Sequence, residues 1–151
     1  RYGGVIDKYM GTEVMALFNT QLNPSETHAW DAVRAALDMV DDFLALYAEQ
    51  GEAPGDVYYR IGIHSGIATM GNVGSKSRRE FTAIGDTVNL AHRLLDLAKC
   101  GEVLVSENLY DTCAPHLTDR GNRITVADRG QIEIRGRKQP VRIYQLHRGP
   151  S

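Results

Sequence analysis

The chain has 151 residues, of which 42% are hydrophobic and 24% charged, and a formal net charge of −2. Residues 1–151 can therefore bury one sizeable core as a single domain, and the charge predicts no strong attraction to nucleic acid or to an acidic membrane surface. Cys100 and Cys113 have neither metal-ligand spacing nor a disulfide framework, which predicts a reducing, cytoplasmic setting with both acting as ordinary small apolar residues.

No apolar run approaches the length of a transmembrane span and no signal-peptide pattern opens the sequence, so attachment of a parent protein to a membrane would come from other regions. The opening R-Y-G-G is already close to a strand, and we expect a chain that starts inside a larger protein.

Val5 to Tyr9 and Val14 to Phe18 are rich in β-branched and aromatic residues around Gly11, the pattern of a hairpin. After the break at Asn23-Pro24-Ser25, Ala29, Val33, Ala36, Val40, Phe43, Leu44 and Tyr47 recur at helical spacing, predicting a long amphipathic helix that ends near Gly51. Residues 58–71 alternate like a strand, with glycines that signal a bulge or a close backbone approach. Gly85-Asp86-Thr87 predicts a turn with a good N-cap. The helix that follows has a stripe of Val88, Ala91, Leu94, Leu95 and Ala98. A short strand from Glu102 to Val105, a helix from Ser106, and strands around Gln131 to Ile134 and Val141 to Leu146 complete the chain. Strands mixed with helices in this way indicate an α/β or α+β class, with strand order left open.

Three groups of residues have the chemistry of a site. Asn89 and Arg93 lie four residues apart, so they project from one side of their helix, off its apolar stripe. An amide beside a guanidinium suits a polyphosphate or a charge developing in a transition state, although a solvated helix face is the plainer reading of that spacing. Lys8 and Thr82 pair a cationic donor with a small hydroxyl, a combination able to read the edge of a base, yet a strand lysine is usually a solvated edge residue. The basic segment R-G-R-K at 135–138, with K-S-R-R at 76–79 as a weaker relative, can bind phosphate or be a solvated hairpin tip. The five histidines have no metalloprotease-like spacing, and His64, in a strand, reads as structural.

Taken in order, G-G-V-I-D-K-Y-M-G, R-I-G-I-H-S-G, G-N-V-G-S, E-F-T-A-I-G-D-T-V-N-L-A-H-R-L and I-R-G-R-K-Q-P-V-R-I-Y resemble the class III adenylate and guanylate cyclases over nearly the whole chain. The resemblance implies an α+β, ferredoxin-like nucleotidyl cyclase domain, with helices packed on a mixed, mainly antiparallel sheet whose first strand is missing from this chain. It also implies a dimer that binds nucleotide between two domains. By the same resemblance Lys8 and Thr82 stand where the family recognises adenine. Asn89 would orient the ribose and Arg93 would stabilise charge on the α-phosphate, while Arg135 matches the residue that grips the outer phosphates.

The family's Mg²⁺ or Mn²⁺ ions imply two aspartates, one from the first strand and one directly after the hairpin glycine, where this chain has Thr12. Strand alternation turns the neighbouring Glu13 away from the metal position, unless a bulge re-aims it. The sequence thus resembles the half of a heterodimeric cyclase that recognises base and stabilises charge.

The expectation is a domain that makes 3′,5′-cyclic AMP and pyrophosphate from ATP, as a homodimer or beside a metal-competent cyclase domain, under upstream regulatory domains. The alternatives are a nucleotide-binding or dimerising signalling module without turnover, and a cyclase that uses GTP.

Overall fold

Burial on both faces organises the centre of the fold. In the computed structural model, which describes residues 1–51 and 59–149, the elements run β1 (Val5–Met10), β2 (Glu13–Leu17), α1 (His28–Glu49), β3 (Ile61–Ile63), β4 (Thr69–Ser75) and β5 (Arg78–Ile84). They continue with α2 (Asp86–Leu97), β6 (Val103–Ser106), α3 (Glu107–Leu117), a short 3₁₀ turn (Arg120–Asn122), β7 (Ile124–Ile132) and β8 (Val141–Arg148). The class is α+β, as expected.

Four strands form a mixed sheet in the order β3-β6-β8-β7, with only the β3–β6 pair parallel. All four residues of β6 are buried, because alternating side chains enter different clusters. Val103 and Val105 pack with Leu146 against Val33 and Leu37 of α1 and Leu109 and Cys113 of α3. Leu104 joins Ile143, Leu94 and Ala98 on the α2 side. Fully burying each such leucine or valine stabilises the fold by about 1.5–3 kcal/mol.

At Gly62 an added Cβ would lie 2.4 Å from the Leu95 backbone nitrogen and 2.7 Å from the Ala91 carbonyl oxygen. The expected close backbone approach is therefore that of α2 crossing β3, a contact that only glycine permits.

Several boundaries differ from those the sequence suggests. The stretch 58–71, whose first residue lies outside the described residues, divides into β3 and β4, which belong to different sheets. The strand expected around 131–134 instead spans Ile124–Ile132, its pairing with β8 continuing across a bulge between Asp128 and Gln131. Gly130 takes φ +81°, and Arg129 turns outward to Glu102 and Gln145.

Helix α1 ends at Glu49, with Gly51 at φ +71° just beyond it, but its second half leaves the core, and Leu44 is exposed. In α2 the buried residues are Leu90 and Leu94, followed by Ala98 just past its end, whereas Val88, Ala91 and Leu95 are half-buried. Cys113 is buried, and burial pushes its thiol up to about 11. Cys100 is exposed in the turn after α2, so it does not act as a core residue.

The other four strands form two separate ladders, the hairpins β1–β2 and β4–β5. Each carries large apolar side chains in the open. Tyr9 is 74% exposed and Phe81 62%.

Candidate functional site

The two hairpins meet at the residues the sequence singles out. Thr82 of β5 is buried, and its Oγ1 donates to Oδ2 of Asp7 at 2.5 Å. Lys8 Nζ stands 3.8 Å from that same oxygen and 3.9 Å from Oε2 of Glu80. Lys8 and Thr82 are thus brought together by Asp7, a residue to which no local sequence pattern points.

Helix α2 presents the second group. Gly85 holds φ +116° immediately before it, a conformation that side-chain-bearing residues rarely adopt. Within the expected turn Gly85-Asp86-Thr87, Gly85 is the N-cap residue, the helix starts at Asp86, and no side chain makes a capping hydrogen bond. Asp86 instead places its carboxylate in the first turn, favoured by the helix dipole, and Thr87 donates to the Ile67 carbonyl at 2.5 Å. Asn89 and Arg93 are both exposed on the side of α2 away from Leu90 and Leu94, and neither side chain has a hydrogen-bond or ionic partner among the described residues. Two polar groups of complementary type are therefore held on a rigid mount and left unspent.

Residues 133–140 form a loop beside the start of α2. Arg135 sits at its tip, exposed and without an ionic partner among the described residues. Arg137 turns inward, with Nε 2.9 Å from Oδ2 of Asp86. The resemblance points to Arg135 in this basic run, while the structure joins Arg137 to the helix that carries Asn89 and Arg93.

His64 lies beneath this junction, its Nδ1 2.7 Å from Ser106 Oγ, which also caps α3 by accepting from the Leu109 amide. Burial, with the Arg137 charge adding to it, lowers the imidazole to about 4, so it is neutral near pH 7 and serves as a packed cap partner.

The hairpin turn consists of Gly11, at φ +62°, and Thr12, between the paired residues Met10 and Glu13. Glycine first in a two-residue loop is the expected hairpin chemistry. Thr12 is exposed, and Glu13 points across to α2, with Oε2 3.3 Å from Nε2 of His92.

A divalent cation held by carboxylates does not fit these residues. The carboxylate of Asp7 is taken up by Thr82 and Lys8, that of Glu13 faces His92, and Thr12 offers only a hydroxyl. Among the described residues no group of three or more His, Cys, Asp or Glu side chains is arranged to hold a metal.

Comparison with known proteins agrees with the ordered motifs. The family model of the adenylate and guanylate cyclase catalytic domain matches residues 6–148. An adenylate cyclase of Anabaena cylindrica is 31% identical over 147 residues, covering 95% of this chain and 28% of that protein. Adenylate cyclase 1 of Rhizobium meliloti is 32% identical over 149 residues, covering 96% of this chain and 21% of the relative. The chain therefore spans less than a third of these curated relatives.

Among solved structures, the adenylyl cyclase CyaB from P. aeruginosa superposes with a TM-score of 0.78 at 32% identity, covering 99% of this chain and 74% of that one. The guanylyl cyclase Cya2 gives 0.71 at 25% identity, covering 96% and 70%. Similarity thus extends to proteins named for either purine nucleotide.

Proposed function

This chain belongs to the adenylate and guanylate cyclase catalytic domain family, and from that premise we propose that it is the adenine-reading half of an ATP-using cyclase site. The observation that carries the reading is the meeting of Lys8 and Thr82 on one oxygen of Asp7, which sets a cation beside a hydroxyl at the junction of two hairpins. Lys8 donates to a ring nitrogen of adenine, and Thr82 accepts from the exocyclic amine.

On α2, Asn89 holds the ribose and Arg93 faces the α-phosphate. The 3′-oxygen forms a bond to the α-phosphorus, the bond from that phosphorus to the bridging oxygen breaks, and pyrophosphate leaves with the electron pair. The 3′-hydroxyl proton passes to solvent. Arg93 stabilises the charge that gathers in the transition state, and the helix supplies the positioning on which phosphoryl chemistry depends. Arg135, exposed at its loop tip, meets the outer phosphates in this reading, and Arg137 steadies the start of α2 through Asp86.

The metal carboxylates come from a second domain in this reading, since the donors of this chain do not fit a cation. Mg²⁺ or Mn²⁺ would there neutralise phosphate charge. The bare apolar side chains of the two hairpins, Tyr9 and Phe81 among them, support assembly with such a domain. No helix among the described residues is long and apolar enough to cross a membrane, and we place the chemistry in the cytoplasm, where ATP is held.

The test is to mix the chain with ATP and Mn²⁺, alone and with a metal-competent cyclase domain whose own asparagine and arginine are inactivated. Cyclic AMP is expected in the mixture and little in the chain alone. Its absence from both overturns the catalytic reading. Thr12 is the residue that favours a second reading, a nucleotide-binding module without turnover, which calorimetry would reveal as binding of ATP with no product in either mixture. For the base, Lys8→Glu is expected to shift preference toward GTP, and an unchanged ATP preference would count against the assignment.

A further inference from the structure

Adjacent residues of a regular strand project to opposite faces. Between Ile6 and Lys8 the β1–β2 register shifts, leaving Asp7 as an extra residue with no partner on β2. Such a bulge re-aims side chains, and here it brings the neighbouring Asp7 and Lys8 termini within 3.8 Å. The Asp7 side chain is only 6% exposed, while Lys8 keeps 21% and forms the open side of the cluster.

The hydrogen-bond bookkeeping then has one solution. A carboxylate accepts and cannot donate, so Thr82 gives its single proton to Asp7 and has only lone pairs left to offer. The burial of Thr82 keeps bulk water from offering that proton an alternative. Lys8 is flanked by the Asp7 and Glu80 carboxylates at 3.8 and 3.9 Å, near enough to hold its charge in place but beyond hydrogen-bond length. Its N–H donors remain available. The cluster therefore presents a donor beside an acceptor.

We propose that Asp7 is a specificity-determining positioning residue that sets this donor-acceptor polarity, matching the ring nitrogen and amine of adenine and opposing the N–H and carbonyl of guanine. The proposal rests on the nucleotide reading given above. Asp7 touches no base. It acts through Thr82 and Lys8.

Calorimetry of the full chain with nonhydrolysable ATP and GTP analogues tests it. The wild type is expected to bind the ATP analogue more tightly. In Asp7→Ala the released Thr82 hydroxyl can donate to a guanine carbonyl, and the ATP-to-GTP affinity ratio is expected to fall about tenfold, the worth of roughly one hydrogen bond. Asp7→Asn keeps a carbonyl acceptor for Thr82 and is expected to retain most of the ratio. Should Asp7→Ala not fold by circular dichroism, Asp7→Leu, closer in size to the native side chain, removes the same acceptor and is expected to lower the ratio likewise.

A purely structural role would weaken both analogues equally, and an unchanged ratio in a folded variant overturns the proposal while leaving the ATP reading in place. A wild type that prefers the GTP analogue overturns the polarity. A wild type that binds neither, alone or mixed with the metal-competent cyclase domain, overturns the nucleotide reading, and the Asp7 proposal with it.

Discussion

The four-stranded sheet and the pair of hairpins are built from similar strands and serve opposite ends. In the sheet, β6 is buried on both faces, with α1 and α3 packed on one and α2 on the other. The hairpins are isolated two-stranded ladders with Tyr9, Val14, Phe81 and Ile84 in the open. An isolated two-stranded hairpin is marginal in water and gains stability only from what it packs against. Stability is thus concentrated in the sheet and the helices packed on it, α2 with Asn89 and Arg93 among them, while the Asp7, Lys8 and Thr82 cluster lies on the less stable border. That division fits a site completed by association, since the surfaces that must remain adaptable contribute least to the core.

The largest test of this contrast is Leu94→Ala, which empties a fully buried position between α2 and the sheet. It is expected to cost about 3 kcal/mol in urea unfolding. A loss below about 1 kcal/mol would mean that the sheet is not the centre of stability.

The His64 contact at the border of the two regions gives a smaller, pH-dependent effect. Its folded pKa, about 4, lies below the ordinary 6.5, so the unfolded chain binds the proton more readily. Stability is therefore expected to fall as pH drops from about 6.5 toward 4, by on the order of 1–3 kcal/mol in all, and to level off for this group below that. Replacing His64 with Gln should remove this contribution from the pH profile. Identical wild-type and variant slopes across that window would exclude it.

Phe81→Ser should have the least effect on stability. At 62% exposure its loss is expected to move the unfolding free energy by less than about 0.5 kcal/mol, while weakening self-association or partner binding in sedimentation. A destabilisation as large as that of Leu94→Ala would erase the distinction between the two regions.

The parts of this fold governed by short-range rules were legible in the sequence. Glycine at the hairpin turn, Ser106 as the α3 cap and the apolar face of the first half of α1 all follow from local chemistry. Asn89 and Arg93 could be placed on one exposed side by helical spacing alone. What escaped was everything a bulge alters. Strict alternation puts Asp7 opposite Lys8 and so hides it, and the bulge in β7 joins the segment around 131–134 to a longer strand that starts at Ile124. Arg137 was passed over for a different reason. Nothing in R-G-R-K states which arginine turns toward Asp86, a choice made by the turn at Gly136 with φ +88°.

The shared Asp7 oxygen also has an evolutionary consequence. Asp7 and Thr82 are 75 positions apart in the chain yet act on one hydrogen-bonding edge. On the proposed polarity, a change of base preference needs both the donor and the acceptor reversed, and either replacement alone leaves one matched and one opposed contact. Residues 7, 8 and 82 would then be inherited as a unit. Lineages that moved between purines would have had to cross a poorly discriminating intermediate, and a promiscuous ancestor is the easier starting point for both.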